Sequence, residues 1–125
     1  MAPTFGNGKI CYIELPAIDI QQSAEFYRRV FGWSIRRRGD GSTSFDDTVG
    51  EVSGAWVLER RPSSEPGIVV HIMVADAAAA CKAVTDAGGT IVLPVDPDSR
   101  EVFAHFRDPA GNVLGIYQDR AAARQ

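Results

Sequence analysis

A chain of 125 residues is long enough for one domain with a real core, and 45% hydrophobic with 23% charged residues is a globular balance. A net charge of −3 supplies no basic stripe, so nucleic acid is not an expected partner. Two cysteines do not make a secreted disulfide framework, and no apolar run approaches membrane-spanning length, so no membrane partner is expected either.

Met1–Gly8 lacks an apolar signal core, and the expected location is cytoplasmic. Arg36-Arg37-Arg38 is the one basic run and reads as a solvated strand end. Residues 9–15 alternate as a strand, with Ile10, Tyr12 and Glu14 on one face and Cys11, Ile13 and Leu15 on the other. Pro16 ends it. Asp19 is a good helix N-cap with Gln22 three residues on, and Ile20, Ala24, Tyr27 and Phe31 recur at helical spacing. Gly32 is the stop. Trp33–Arg38, Ser42–Asp46 and Val52–Arg60 read as strands, with turns at Gly39-Asp40-Gly41 and Asp47–Glu51. Pro62–Gly67 is the one linker-like stretch.

Ile68–Val74 opens a second series as a strand. Asp76 caps a helix through Ala87 that carries Ala77, Cys81 and Val84 at helical spacing, and Gly88-Gly89 stops it. Thr90–Val95, Glu101–Arg107 and Val113–Tyr117 are strands, the last two joined by the turn Asp108-Pro109-Ala110-Gly111-Asn112. Asp119–Gln125 is polar or alanine-rich and is expected to fray. Cys11 in a strand and Cys81 on an apolar helix face both read as small buried hydrophobes.

The second series repeats the first at a separation of 57 residues, the spacing of Asp19 from Asp76 and of Gly32 from Gly89. Each half is β-α-β-β-β, residues 9–61 and 67–118 within a single domain spanning 1–125. The expected class is α+β: two tandem βαβββ modules forming a curved mixed sheet around a central cleft.

Two segments carry a family resemblance. Ser23-Ala24-Glu25-Phe26-Tyr27-Arg28-Arg29-Val30-Phe31-Gly32-Trp33 is similar to the "S-x-x-F-Y" helix of the vicinal oxygen chelate superfamily, also called the glyoxalase/bleomycin-resistance/dioxygenase fold. Asp108-Pro109-Ala110-Gly111-Asn112 with Val113–Tyr117 resembles its "D-P-x-G-N" hairpin and closing strand. The fold hosts isomerases, dioxygenases, thiol transferases and drug-sequestering proteins, so the resemblance implies architecture rather than activity. Its metal enzymes hold a divalent ion with one ligand on each of four cleft strands. Carried over, those positions fall at Tyr12, at or beside Val69, at Gly115 and within Ala55–Leu58, none of which supplies a usual ligand set. No cofactor and no metal are therefore expected.

Glu14 and His71 are equivalent under the duplication and should both project into the cleft, where they could meet. They read as a general acid/base pair, as relocated metal ligands, or as a structural or ligand-orienting pair. Tyr12, Trp56, Met73 and Tyr117 are candidates for lining the cleft, against the plain reading of core. The facing of His105 is open. The expected function is binding of a small organic molecule without a divalent metal. The alternatives are a lyase, isomerase or dioxygenase-type enzyme using Glu14 and His71, and a non-catalytic interaction module. Open sheet edges, with the habit of related chains, favour a homodimer. Whether the halves close within one chain or across two is open.

Overall fold

A computed structural model describes residues 2–119 of the chain. The first module runs β1 (Tyr12–Pro16), α1 (Ile20–Phe31), β2 (Ser34–Arg37), β3 (Thr43–Asp46) and β4 (Ser53–Val57). The second runs β5 (His71–Val74), α2 (Ala77–Asp86), β6 (Thr90–Leu93), β7 (Phe103–Arg107) and β8 (Val113–Gln118). The α+β class and the paired βαβββ modules are as expected. Each module makes its own four-stranded mixed sheet, in the orders β1-β4-β3-β2 and β5-β8-β7-β6. In each, the first strand runs parallel to the last and lies at the sheet's edge.

Several strands are shorter than their hydropathy suggests, because a strand extends only as far as its partner. The β1–β4 ladder runs from Tyr12 opposite Ser53 to Pro16 opposite Val57, and the β5–β8 ladder begins at His71 opposite Gly115. Pro16 is the last residue of β1 rather than the first beyond it, which an edge strand tolerates. Cys11 precedes β1 and is exposed, contrary to its reading as a buried residue, while Cys81 is half-buried. The expectation of a fraying tail falls, beyond Asp119, on 120–125, outside the described residues.

The caps are those the residues dictate. Asp19 is extended and accepts the Gln22 amide at 3.0 Å, and Asp76 likewise accepts that of Ala79 at 3.0 Å. α1 stops at Gly32, whose φ of 74° puts it in the left-handed region. In the second module that role falls on Gly88, at φ 99°, and not on Gly89, so the internal repeat slips by one residue at the helix end.

One face of each sheet packs on the helices, and these two faces share one core. Tyr27 of α1 stacks on Trp33 at 4.7 Å, and Trp33 stacks on Phe45 of β3 at 4.4 Å. Phe106 of β7 approaches Phe26, Tyr27 and Phe31 of α1 at 5.9, 6.4 and 5.5 Å. Leu15, Trp56, Ala104, Leu114 and Ile116 complete this layer from the strands. The modules thus meet through their helix-covered sides. The opposite face of each sheet is turned outward.

A buried polar network fastens the same junction. The Tyr27 hydroxyl donates to Asp108 at 2.8 Å, and Asp108 also accepts the backbone amides of Ala110 and Asn112 at 2.9 Å. The Asn112 amide nitrogen donates to the Pro16 carbonyl in the first module at 2.7 Å, and its oxygen accepts the amide of Ser63 in the linker at 2.8 Å. Burial, then the Asp108 charge, push the Tyr27 hydroxyl pKa well above its usual value, so it remains a donor.

Candidate binding faces

Strand alternation sorts the side chains of each sheet, and the register tells which outward residues are neighbours. On the first sheet one outward row reads Tyr12, Ser53, Asp46, Ser34 and the next Glu14, Ala55, Ser44, Arg36. The first face is small and polar. Its charges are largely satisfied: Arg36 Nε meets Asp46 at 2.8 Å, Ser53 donates to Asp46 at 2.6 Å, and Arg60 holds Glu14 at 2.9 Å. The Ser53 hydroxyl, with Arg36, draws the Asp46 carboxyl below the usual range. A shallow groove of 660 Å³ crosses this end of the sheet beside the 47–50 loop.

The second face is different in kind. Its rows read Met73, Tyr117, Phe103; then His71, Gly115, His105, Leu93; then Val113, Arg107, Thr90. A bulge between Ile91 and Leu93 turns Leu93 outward beside His105. In the middle row Gly115 is bare, and the His71 ring lies over it. A Cβ at position 115 would stand 2.3 Å from His71 Nδ1. Freed to lie across β8, His71 comes within 5.5 Å of His105, ring centre to ring centre, and both stand about one ring-width from Phe103, at 6.1 and 5.8 Å. Burial, then the charge of His71, lower the His105 pKa. The Tyr117 hydroxyl donates to Glu101 at 2.6 Å.

Of the sequence candidates, Tyr12, Glu14, His71, Met73 and Tyr117 all lie on outward faces, with Tyr12 45% and Met73 69% exposed. Trp56 does not: it is 3% exposed, against Phe45 and Tyr27 in the helix-side core, because it alternates with the outward Ala55 and Val57. Its expected place in the cleft is corrected to core. Glu14 and His71 are not brought together, since they stand on the outward faces of two different sheets whose other sides are joined; Glu14 is paired with Arg60 instead. Phe103 and the bare Gly115 were not singled out as binding groups. The signals available were the shared parity of Phe103 and His105 and a glycine inside an otherwise apolar strand.

Between the free edges of β1 and β5 runs an apolar slot of 490 Å³, floored by Trp33, Phe45 and Leu114, with His71 and Met73 on its β5 side. The modules, their order and their closing hairpin match the model of the glyoxalase/bleomycin resistance protein/dioxygenase superfamily over residues 9–116. The chain belongs to this superfamily. A "Glyoxylase-like domain-containing protein" of Didymella fabae is 31% identical over 88% of this chain and 93% of its own length. The fold matches a glyoxalase/bleomycin resistance protein/dioxygenase family enzyme from Burkholderia phytofirmans PsJN, with TM-score 0.70 and 20% identity over 86% of this chain and 95% of that one. It also matches TnmS3, an antibiotic binding protein from Streptomyces sp. CB03234, with TM-score 0.67 and 21% identity over 92% and 98%.

The superfamily's metal chemistry asks for several converging nitrogen or oxygen donors. The described residues of one chain do not fit that demand. The β8 position is a glycine covered by the His71 ring, and among the described residues no three of His, Cys, Asp and Glu gather as a metal site would require. No helix is long and apolar enough to cross a membrane among the described residues.

Proposed function

We propose that this protein binds a small organic molecule against the outward sheet faces, without a divalent metal, and that the binding cleft is completed between two copies of the chain. The observation that carries the reading is the second face: Met73, Tyr117, Phe103, His71 and His105 form a surface of rings and a thioether that a folded monomer would otherwise bury. Such surfaces make flat, adaptable walls for organic ligands. The likeness to an antibiotic binding protein supports the same reading.

The dimer follows from which way the faces point. Because the modules join through their helices, one chain cannot close its own two outward faces over a ligand. Exposed Ile10, Tyr12, Val49 and Met73 surround the unpaired edges of β1 and β5, where a second copy can lay its own edges. The small, polar first face of one copy then opposes the ring-rich second face of the other.

The test is a thermal-shift screen of a small-molecule library in the presence of EDTA. Stabilisation that saturates with ligand and is indifferent to the chelator is expected. A gain that appears only on adding Zn, Ni, Mn or Fe would overturn the metal-free reading.

A further inference from the structure

Resting on that reading, we propose that Phe103, His71 and His105 form the seat for a planar aromatic ligand carrying an anionic oxygen, a carboxylate or a phenolate. The three rings are mutual neighbours, with centres 5.5 to 6.1 Å apart, and they are inclined to one another by 50° to 72°. A flat ring laid over the cluster can therefore meet the face of one and the edge of another, which is the geometry aromatic pairs prefer. A flexible alkyl chain would gain burial but none of this alignment.

The seat is built by a vacancy in the backbone pattern. Gly115 stands between His71 and His105 in the middle row, and any side chain there would evict the His71 ring that lies on it. The glycine therefore gathers the triad as well as keeping the strand bare.

The anionic oxygen follows from the polar groups present. Two imidazoles supply N–H donors at the rim of the ring cluster, and Arg107 follows on β7 in the next row. The nearby carboxylate, Glu101, already accepts the Tyr117 hydroxyl. The middle row thus offers imidazole donors with the positive charge of Arg107 in the row on one side, while Glu101 stands toward the other, beside Tyr117. A carboxylate or phenolate on a flat ring satisfies the donors while the ring covers the exposed side of the cluster.

The experiment is calorimetric titration of the full chain, with EDTA present, using 2-naphthoate, the neutral 2-naphthalenemethanol and the aliphatic decanoate. Naphthoate is expected to bind at least tenfold more tightly than decanoate. Phe103→Ala should weaken both aromatic probes about tenfold or more and by similar factors, whereas His105→Gln should weaken naphthoate several-fold more than it weakens the alcohol. Gly115→Ala should weaken naphthoate; if that variant does not fold, the Phe103 and His105 variants decide alone. Equal affinity for decanoate, or naphthoate binding unchanged in both Phe103→Ala and His105→Gln, would overturn the seat. If other library compounds still stabilise the protein, the seat fails and the broader binding reading stands; if no compound does, both fail.

Discussion

Asn112 holds three separate parts of the chain with one side chain. It is fully buried, and its amide reaches Pro16 in the first module, Ser63 in the linker and Asp108 in its own turn. A buried group deprived of its partner loses the full cost of desolvation, so Asn112→Ala should destabilise the protein by about 3 kcal/mol in urea titrations. A loss below about 1 kcal/mol would mean that the junction is held by the aromatic core alone. His105 makes the second residue-scale expectation. Its pKa is lowered in the folded state by burial and by His71, so the unfolded chain binds the extra proton first. Stability is therefore unaffected above the ordinary histidine value of about 6.5 and falls as the pH drops below it through the lowered folded value. His105→Gln removes this contribution. The variant should lose less stability than the parent between neutral pH and mildly acid pH, read as urea midpoints, and equal losses would contradict the assignment.

At the scale of elements, β1 and β4 show how closely a strand pair can be fitted to what lies beneath it. Gly54 faces the core, and a Cβ there would stand 2.1 Å from the Ile13 carbonyl and 2.3 Å from the Phe45 ring. The ring occupies the space that a side chain would need, and the carbonyl belongs to the neighbouring strand of the same ladder. Neither can withdraw without opening the ladder or the Trp33–Phe45 stack. Gly54→Ala should therefore cost about 3 kcal/mol or abolish folding, with loss of the aromatic near-ultraviolet circular dichroism. Ser53→Ala, on the outward face beside it, serves as the control and should cost less than about 1 kcal/mol. The same two glycine-under-ring arrangements recur with different purposes: Gly54 lets Phe45 complete the core, and Gly115 lets His71 cross the outer face.

For the whole molecule, the back-to-back packing of the modules makes a prediction about a second chain. Glu14 and His71 face outward from different sheets, so only another copy's module can bring one toward the other. In a chain with Cys11→Ser and Cys81→Ala, the pair Glu14→Cys and His71→Cys should yield a covalent dimer on oxidation, seen on non-reducing gels. A monomer carrying an internal cross-link would overturn the composite cleft, as would a chain that remains monomeric by sedimentation and forms no cross-link.

The sequence by itself determined the two modules, their helix caps, the turn at Asp108–Asn112 and the shared face of Tyr12 and Glu14 on the first strand. These depend on local periodicity and on residues whose backbone or capping chemistry has few alternatives. It left Trp56, Met73 and Tyr117 between core and cleft, placed Cys11 inside when it is exposed, and could not orient His105. Strand lengths and the slip from Gly89 to Gly88 likewise depend on partners and packing distant in the chain. Only the tertiary structure decided that the modules join through their helices, which separates Glu14 from His71. Only the register across three strands put a glycine between two histidines and Phe103 beside them. The physical reason is common to all of these: alternation along a strand names a face, but which residues share that face, and what the face looks upon, is set by pairing and packing between segments far apart in sequence.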